Sequence, residues 1–141
     1  MDLAPRKPQT PEEIERDVVA FLSTEKWVKR VKKLETGWYA VTTTLIEPNG
    51  HNIMTYLYYW PGGKYWSVDD LENFEQEFCS QNPNNRLAAG KGITRACDMY
   101  NLEGNVFSIQ VDTDKVIAEA LRISSAQLTA YGYAYFVMNH G

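Results

Sequence analysis

The sequence predicts an α+β domain in which helices pack on a small antiparallel sheet. Apolar residues recur at helical spacing near the N-terminus and in the C-terminal third, whereas the middle of the chain alternates with a period of two. Pro, Gly and Asn clusters separate the alternating segments, as they do in hairpins. We therefore expect a three-stranded meander plus one or two further strands, packed with N-terminal, central and long C-terminal helices.

The length and composition are those of one globular domain. The chain has 141 residues, of which 44% are hydrophobic and 23% charged. We expect residues 10–141 to form the domain and residues 1–9, which include two prolines and lack periodicity, to form a flexible arm. No long apolar run or signal-peptide core is present, and Cys79 and Cys97 have no partner at metal-ligand spacing. These features favour a cytoplasmic protein with reduced, partly buried thiols.

The first helix is predicted by the segment "TPEEIERDVVAFL". Thr10 is a suitable N-cap, Pro11 suits the first helical position, and Glu13 completes a capping box. The residues that share its apolar face are Ile14, Val18, Phe21 and Leu22. Residues 24–35 are ambiguous, because their apolar spacing fits a short helix and their end equally fits the start of a strand.

The meander is predicted from residue 37 onward. "WYAVTTTLIE" and "IMTYLYYW" are rich in β-branched and aromatic residues, and "PNGHN" between them can form a tight turn. "PGGK" then turns the chain, and "YWSV" returns it as a third strand. The residues expected on one face of the first of these strands are Tyr39, Val41, Thr43 and Leu45.

Two helices, a strand and a long helix follow. Leu71, Phe74 and Phe78 share one helical face, and "RLAAGKGITRACDMYNL" is helical in pattern although Gly90 and Gly92 weaken it. "VFSIQVD" alternates as a strand with one buried face. The last helix should span residues 114 to about 137. Its predicted inner face contains Ile117, Ala120, Leu121, Leu128 and Tyr131.

Several catalytic chemistries lack their required residues. In "AAGKGIT", Gly92 stands where a phosphate-binding loop needs a hydroxyl, and no lysine has an acid two residues before it, as metal-dependent nucleases require. His51 falls in a turn and His140 is next to last, so we expect both to be solvated. We accordingly predict no enzyme activity, no cofactor and no metal site.

Asp69 and Asp70 are the best acidic candidates. Neighbouring strand residues point to opposite faces, so two adjacent carboxylates rarely share one metal ion. Capping of the next helix is the favoured interpretation, because a carboxylate accepts the free amides of a first turn. Contact with a partner and a metal-dependent hydrolase site remain alternatives.

The second strand of the meander concentrates aromatic residues on one face. Tyr56, Tyr58 and Trp60 share that face, and the aliphatic-rich opposite face is the better candidate for packing against helices. Across the turn, Tyr65 or Trp66 can stack beside them. A packed layer or homodimer face explains this pattern, as does a surface for another protein. The predicted partner-binding residues are Tyr56, Tyr58, Trp60, Tyr65, Trp66, Asp69 and Asp70.

A basic cluster precedes the meander. Its members are Lys26, Lys29, Arg30, Lys32 and Lys33. A solvated face is the favoured interpretation, and a nucleic-acid-binding patch is the alternative. The net charge of −4 and pI of about 5.2 argue against a duplex-DNA binder, and the aromatic segment lacks interleaved Lys or Arg for base stacking.

The order of these segments resembles the bacterial and phage domain-of-unknown-function family numbered eighteen twenty-eight. The shared features are a capped first helix, the strand "YAVTTTL", a Tyr-rich strand, a strand closing in "SVDD", and a long last helix. Family members typically close that strand with Thr-Asp-Asp-Gly; Asp69 and Asp70 match, whereas Val68 and Leu71 depart from the motif at the threonine and glycine positions. The resemblance covers about residues 12–137 and implies a phage or mobile-element setting without an established activity.

The missing catalytic set and the surplus of Tyr and Trp predict a protein that works by binding another macromolecule. The setting implied by the resemblance suggests an inhibitor that occludes a surface of a bacterial defence complex, in the manner of an anti-CRISPR protein. The alternatives are a nucleic-acid-binding accessory protein that uses the basic cluster and a hydrolase that uses Asp69 and Asp70.

Overall fold

The computed structural model describes residues 9–140, so the predicted arm lies almost entirely outside the described residues. The helices are α1 (Pro11–Leu22), α2 (Asn73–Phe78), α3 (Pro83–Tyr100) and α4 (Val116–His140). The strands are β1 (Val28–Lys33), β2 (Tyr39–Ile46), β3 (Asn52–Trp60), β4 (Tyr65–Asp69) and β5 (Ser108–Val111). Short 3-10 turns occupy Glu103–Asn105 and Thr113–Lys115.

The strands form one sheet in the order β1-β2-β3-β4-β5, and every neighbouring pair is antiparallel. The α+β prediction is confirmed, and the ambiguous segment forms the edge strand β1. A register shift between Val28 and Arg30 pairs Val28 with Thr43 and Val31 with Val41, so both valines face the helices. Their spacing of three residues imitates a helix, which explains the ambiguity of the sequence pattern.

The helices pack on one face of this sheet. Helix α4 crosses β2, β3, β4 and β5, while α1 lies against β1 and α4, and α2 and α3 pack beside α4. Val41, Leu57 and Val68 of the sheet meet Ile123 of α4 in a fully buried core. Within residues 9–140, no helix combines the length and apolar character needed to cross a membrane.

A small polar network lies inside this core. The hydroxyls of Thr55 on β3 and Ser124 on α4 are 2.7 Å apart, and Gln127 donates to Thr55 at 3.0 Å. Ser124 also donates to the carbonyl of Ala120. These buried groups satisfy one another, so they fix the rotation of α4 over the sheet at little desolvation cost.

Helix α1 forms as its cap predicts, but Phe21, predicted on its apolar face, is 65% exposed. Thr10 and Glu13 form both hydrogen bonds of the capping box. The later helices also differ in detail. Helix α2 begins only at Asn73, because Leu71 and Glu72 have positive φ, and Leu71 is exposed rather than packed. On α4, Leu121 is also exposed, so its predicted place on the inner face is wrong.

The cysteines also differ from the expectation of two partly buried thiols. Both are free, but Cys79 is exposed at the end of α2, whereas Cys97 is buried in α3.

Candidate binding surface on the outer face of the sheet

The face of the sheet that points away from α4 is here called the outer face. The pairing of neighbouring strands shows which residues lie side by side on this face. Tyr56 lies between Ala40 and Asp69, and Tyr58 lies beside Ser67. Its residues on β1 to β4 are Arg30, Lys32, Ala40, Thr42, Met54, Tyr56, Tyr58, Trp60, Tyr65, Ser67 and Asp69. The described helices do not pack across this face, but Asn73 at the start of α2 reaches its edge and donates to the Tyr56 hydroxyl at 3.3 Å.

Aromatic rings form a continuous row at one end of the outer face. The centroids of Trp38 and Tyr58 are 5.3 Å apart, those of Tyr58 and Trp60 are 4.7 Å apart, and those of Trp60 and Tyr65 are 6.2 Å apart. These residues are here called the aromatic ladder. The ladder joins β2, β3 and β4 across the tight turn, as the predicted cross-strand stacking requires.

The ladder is held in place by its neighbours. The indole Nε1 of Trp60 donates to the hydroxyl of Ser67 at 2.8 Å, and a Cβ built on Gly37 would lie 3.1 Å from the Tyr58 ring. The Trp60 side chain is nonetheless 41% exposed, and Tyr58 and Tyr65 are half-buried. The rings are thus ordered in position yet accessible from solution.

Trp66 is one of the predicted partner-binding residues, but it does not lie on the outer face. It pairs with Tyr59 rather than with Trp60, so it points to the helical face and is fully buried. Its ring centroid lies 5.1 Å from that of Tyr59, and its Nε1 donates to the hydroxyl of Thr113 at 3.0 Å. The sequence left open whether Tyr65 or Trp66 would join the ladder, and the pairing assigns Tyr65.

Asp69 and Asp70 serve the turn between β4 and α2. Asp69 accepts from the amide of Leu71 at 2.7 Å, and Asp70 accepts from the amides of Glu72 and Phe74. Asp70 thus reaches an amide in the first turn of α2, whereas the N-cap position itself is Glu72, which makes no side-chain cap bond, and Asp69 serves only the preceding turn. Asp69 is half-buried on the outer face. Asp70 is buried below that face, so it does not offer the surface contact that was predicted for it.

Burial also changes the acidity of Asp70. It raises the pKa of this carboxyl to about 6, against the opposing effect of the amide hydrogen bonds. Within residues 9–140, the group of three potential metal ligands that lies close together does not include either aspartate. This group therefore supplies no further ligand to the alternative hydrolase site at Asp69 and Asp70.

The basic cluster divides between two sides of β1. Arg30 pairs with Thr42 and Lys32 pairs with Ala40, which places both on the outer face. Lys33 instead lies 3.8 Å from the Glu15 carboxylate and 5.4 Å from the Tyr39 ring centroid, and these neighbours raise the pKa of its amine. Lys26 precedes the strand and Lys29 lies at the register shift, so the cluster is not one patch.

Comparisons with known proteins return no match. No family model matches the chain, and comparison with the curated proteins and with the solved structures gave no match. The family resemblance given above therefore stays a prediction.

Sequence reasoning missed the positions of three residues on the outer face. Trp38 immediately precedes Tyr39, so extending the alternation of β2 by one residue would have placed it beside Tyr58. The presence of Arg30 and Lys32 on the same face could not be found this way, because it depends on the register shift in β1.

Proposed function

We propose that this protein is a binding protein without catalytic activity, and that its outer face contacts another protein. The observation that supports this most directly is the aromatic ladder, in which Trp60 is 41% exposed and the other rings are half-buried, on a sheet face across which no described helix packs. Tyr and Trp anchors at the centre of a patch, with polar groups around them, match the anatomy of protein interfaces.

The charges around the ladder favour a particular partner chemistry. Arg30 and Lys32 border the face on β1, while Thr42 and Ser67 are neutral polar groups within it. A protein with an apolar patch flanked by acidic residues would complement this arrangement, since matched potentials favour the correct partner and accelerate its association. We take such a partner as the occupant of the outer face.

The ladder is less suited to single-stranded nucleic acid. The Trp38–Tyr58 and Tyr58–Trp60 ring planes are inclined by 48° and 58°, so these rings pack against each other rather than presenting parallel faces to bases. Asp69 on the same face would also repel a phosphate backbone. Nucleic-acid binding is therefore an outcome that the test must separate from protein binding.

The resemblance to a phage family extends this proposal to a biological role. A small protein that covers a surface of a bacterial defence complex would block that complex by occlusion and need no reactive site. Loss of protection against the defence system should then accompany loss of partner binding in the same variants.

The test compares two double variants with a matched control. Tyr58→Ala with Trp60→Ala removes the centre of the ladder, whereas Phe136→Ala removes an exposed ring of α4 that is 61% accessible. Arg30→Glu with Lys32→Glu reverses the basic border. Each protein is used for pull-down from bacterial lysate, and the purified partner is then titrated against it.

The expected result is a partner whose affinity falls at least about thirtyfold in the ladder variant, because hot-spot truncations cost about 2 kcal/mol or more. The charge-reversal variant should mainly slow association, and more so at low salt, while the Phe136 variant should bind normally. Equal binding by the ladder variant and the wild type contradicts the proposal. Saturable binding of an oligonucleotide, or a ladder-dependent homodimer in light scattering, also contradicts it.

A further inference from the structure

A second site lies at the other end of β3, away from the aromatic ladder. We propose that Glu47, His51 and Glu77 bind one divalent transition-metal ion, with Zn²⁺ as the best match. One ligand atom from each of these side chains lies within 4.8 Å of the other two. This inference goes beyond the binding function proposed above and does not depend on it.

The hairpin between β2 and β3 holds two of the three ligands. The Glu47 amide donates to the His51 carbonyl at 2.9 Å, and the His51 amide donates to Glu47 Oε1 at 3.1 Å. The His51 Nδ1 atom lies 3.4 Å from the same carboxylate oxygen. Since backbone hydrogen bonds fix this loop, both ligands are presented to the same side at little entropic cost.

The third ligand comes from α2. The Tyr135 hydroxyl donates to Glu77 Oε2 at 3.0 Å, and the Asn49 amide contacts that hydroxyl in turn. Such outer contacts orient a ligating carboxylate and are typical of metal sites. A bound ion would therefore link the β2–β3 hairpin to α2.

An unsatisfied buried oxygen points independently to a ligand. The Glu47 side chain is 3% exposed, and its Oε2 has no hydrogen-bond partner among residues 9–140. A buried carboxylate without full compensation is costly, and a cation is one of the partners that offsets this cost. The residues of the cluster line a cavity of about 180 Å³, which leaves room for an ion and a water molecule.

The local charges also favour a cation. Carboxylate oxygens of Glu47 and Glu77 lie within 4.8 Å of each other, so their negative charges repel. A divalent ion between the two carboxylates would relieve this repulsion.

The chemical types of the three ligand atoms favour one class of metal ion over another. Imidazole nitrogen suits zinc and the neighbouring first-row metals, whereas Mg²⁺ and Ca²⁺ prefer all-oxygen sites with more ligands. Three protein ligands leave the fourth tetrahedral position of Zn²⁺ open.

The test is calorimetry with ZnCl₂ on the tag-free full chain, together with thermal unfolding in the presence and absence of zinc. His51→Ala removes an exposed ligand and should not impair folding, and Glu77→Gln removes a half-buried carboxylate. The matched controls are His140→Ala, which removes the other histidine, and Glu75→Gln, which removes an exposed acid of the same helix.

The wild type should bind one equivalent of Zn²⁺ and gain thermal stability from it, whereas Mg²⁺ should bind far more weakly. His51→Ala and Glu77→Gln should each weaken zinc binding at least tenfold, while both controls bind like the wild type. The proposal is overturned by three results: no saturable zinc binding, equal weakening by the control variants, or equally tight Mg²⁺ binding.

Discussion

Asp70 shows how one side chain can serve two opposing demands. Its carboxylate accepts the Glu72 and Phe74 amides at the start of α2, yet it is almost fully buried. Because burial dominates, its pKa rises from the ordinary 3.8 to about 6. The folded protein therefore keeps this proton to higher pH than the unfolded chain does.

This shift predicts a pH-dependent loss of stability. The contribution of Asp70 is fully present below about pH 4 and is lost as the pH rises toward and beyond 6. The pKa difference corresponds to about 3 kcal/mol of unfolding free energy as an upper estimate. The asparagine of the Asp70→Asn variant cannot titrate. The free energy of unfolding of the wild type, minus that of the variant, should therefore fall as the pH rises through this range. Urea unfolding at several pH values measures the difference, and a constant difference from pH 4 to 7 contradicts the assignment.

The outer face shows what alternation can and cannot predict at the residue scale. A period of two was sufficient to place Tyr58 and Trp60 on the face opposite Leu57, as the structure has them. It could not choose between Tyr65 and Trp66, because that choice depends on the register across the Pro-Gly-Gly turn. A shift of one residue would have exchanged the two rings.

Gly90 and Gly92 show a similar limit at the scale of an element. The sequence predicts that both glycines weaken α3, but the packing of α3 against α4 requires only one of them. A Cβ on Gly92 would lie 2.5 Å from the Ala130 carbonyl oxygen of α4, whereas a Cβ on Gly90 meets no described atom within 4 Å. Gly92 therefore allows the close approach of α3 to α4, and Gly90 does not contribute to it.

These neighbouring glycines form a matched pair for a stability test. Gly90→Ala should raise the free energy of unfolding by about 1 kcal/mol, which is the helix-propensity difference. Gly92→Ala should lower it by about 1–3 kcal/mol, because α4 must move to accommodate the methyl group. Chemical denaturation measures both values. Similar stabilisation by the two substitutions would show that the helices are not closely packed at Gly92.

Edge strand β1 and helix α2 mark where element prediction was incomplete for physical reasons, since the first was left open between helix and strand and the second begins later than predicted. The register shift in β1 gives its valines a helix-like spacing, so the pattern alone was ambiguous. In α2, the positive φ values of Leu71 and Glu72 delay the start of the helix, although neither residue type favours that conformation. The strong cap of α1, in contrast, made its start predictable from the sequence.

At the scale of the whole molecule, the fold class followed from segment order, but the layering did not. The sequence could not decide whether helices cover one or both faces of the sheet, since that depends on long-range packing. The described helices all lie on the side of Val41 and Leu57, which leaves the opposite face with the aromatic ladder accessible. Similarly, Glu47, His51 and Glu77 converge only through the tertiary fold, so no spacing in the sequence indicates a metal site.

The central claim is that the outer face is the surface that meets a partner protein, and photo-cross-linking tests it most directly. A benzoylphenylalanine at Tyr65 places the probe within the ladder, and one at Phe136 places it on the exposed side of α4. A protein adduct should form from position 65 and should disappear when Tyr58 and Trp60 are replaced by alanine. Adducts that form only from position 136, or that persist from position 65 in that double variant, would contradict the claim.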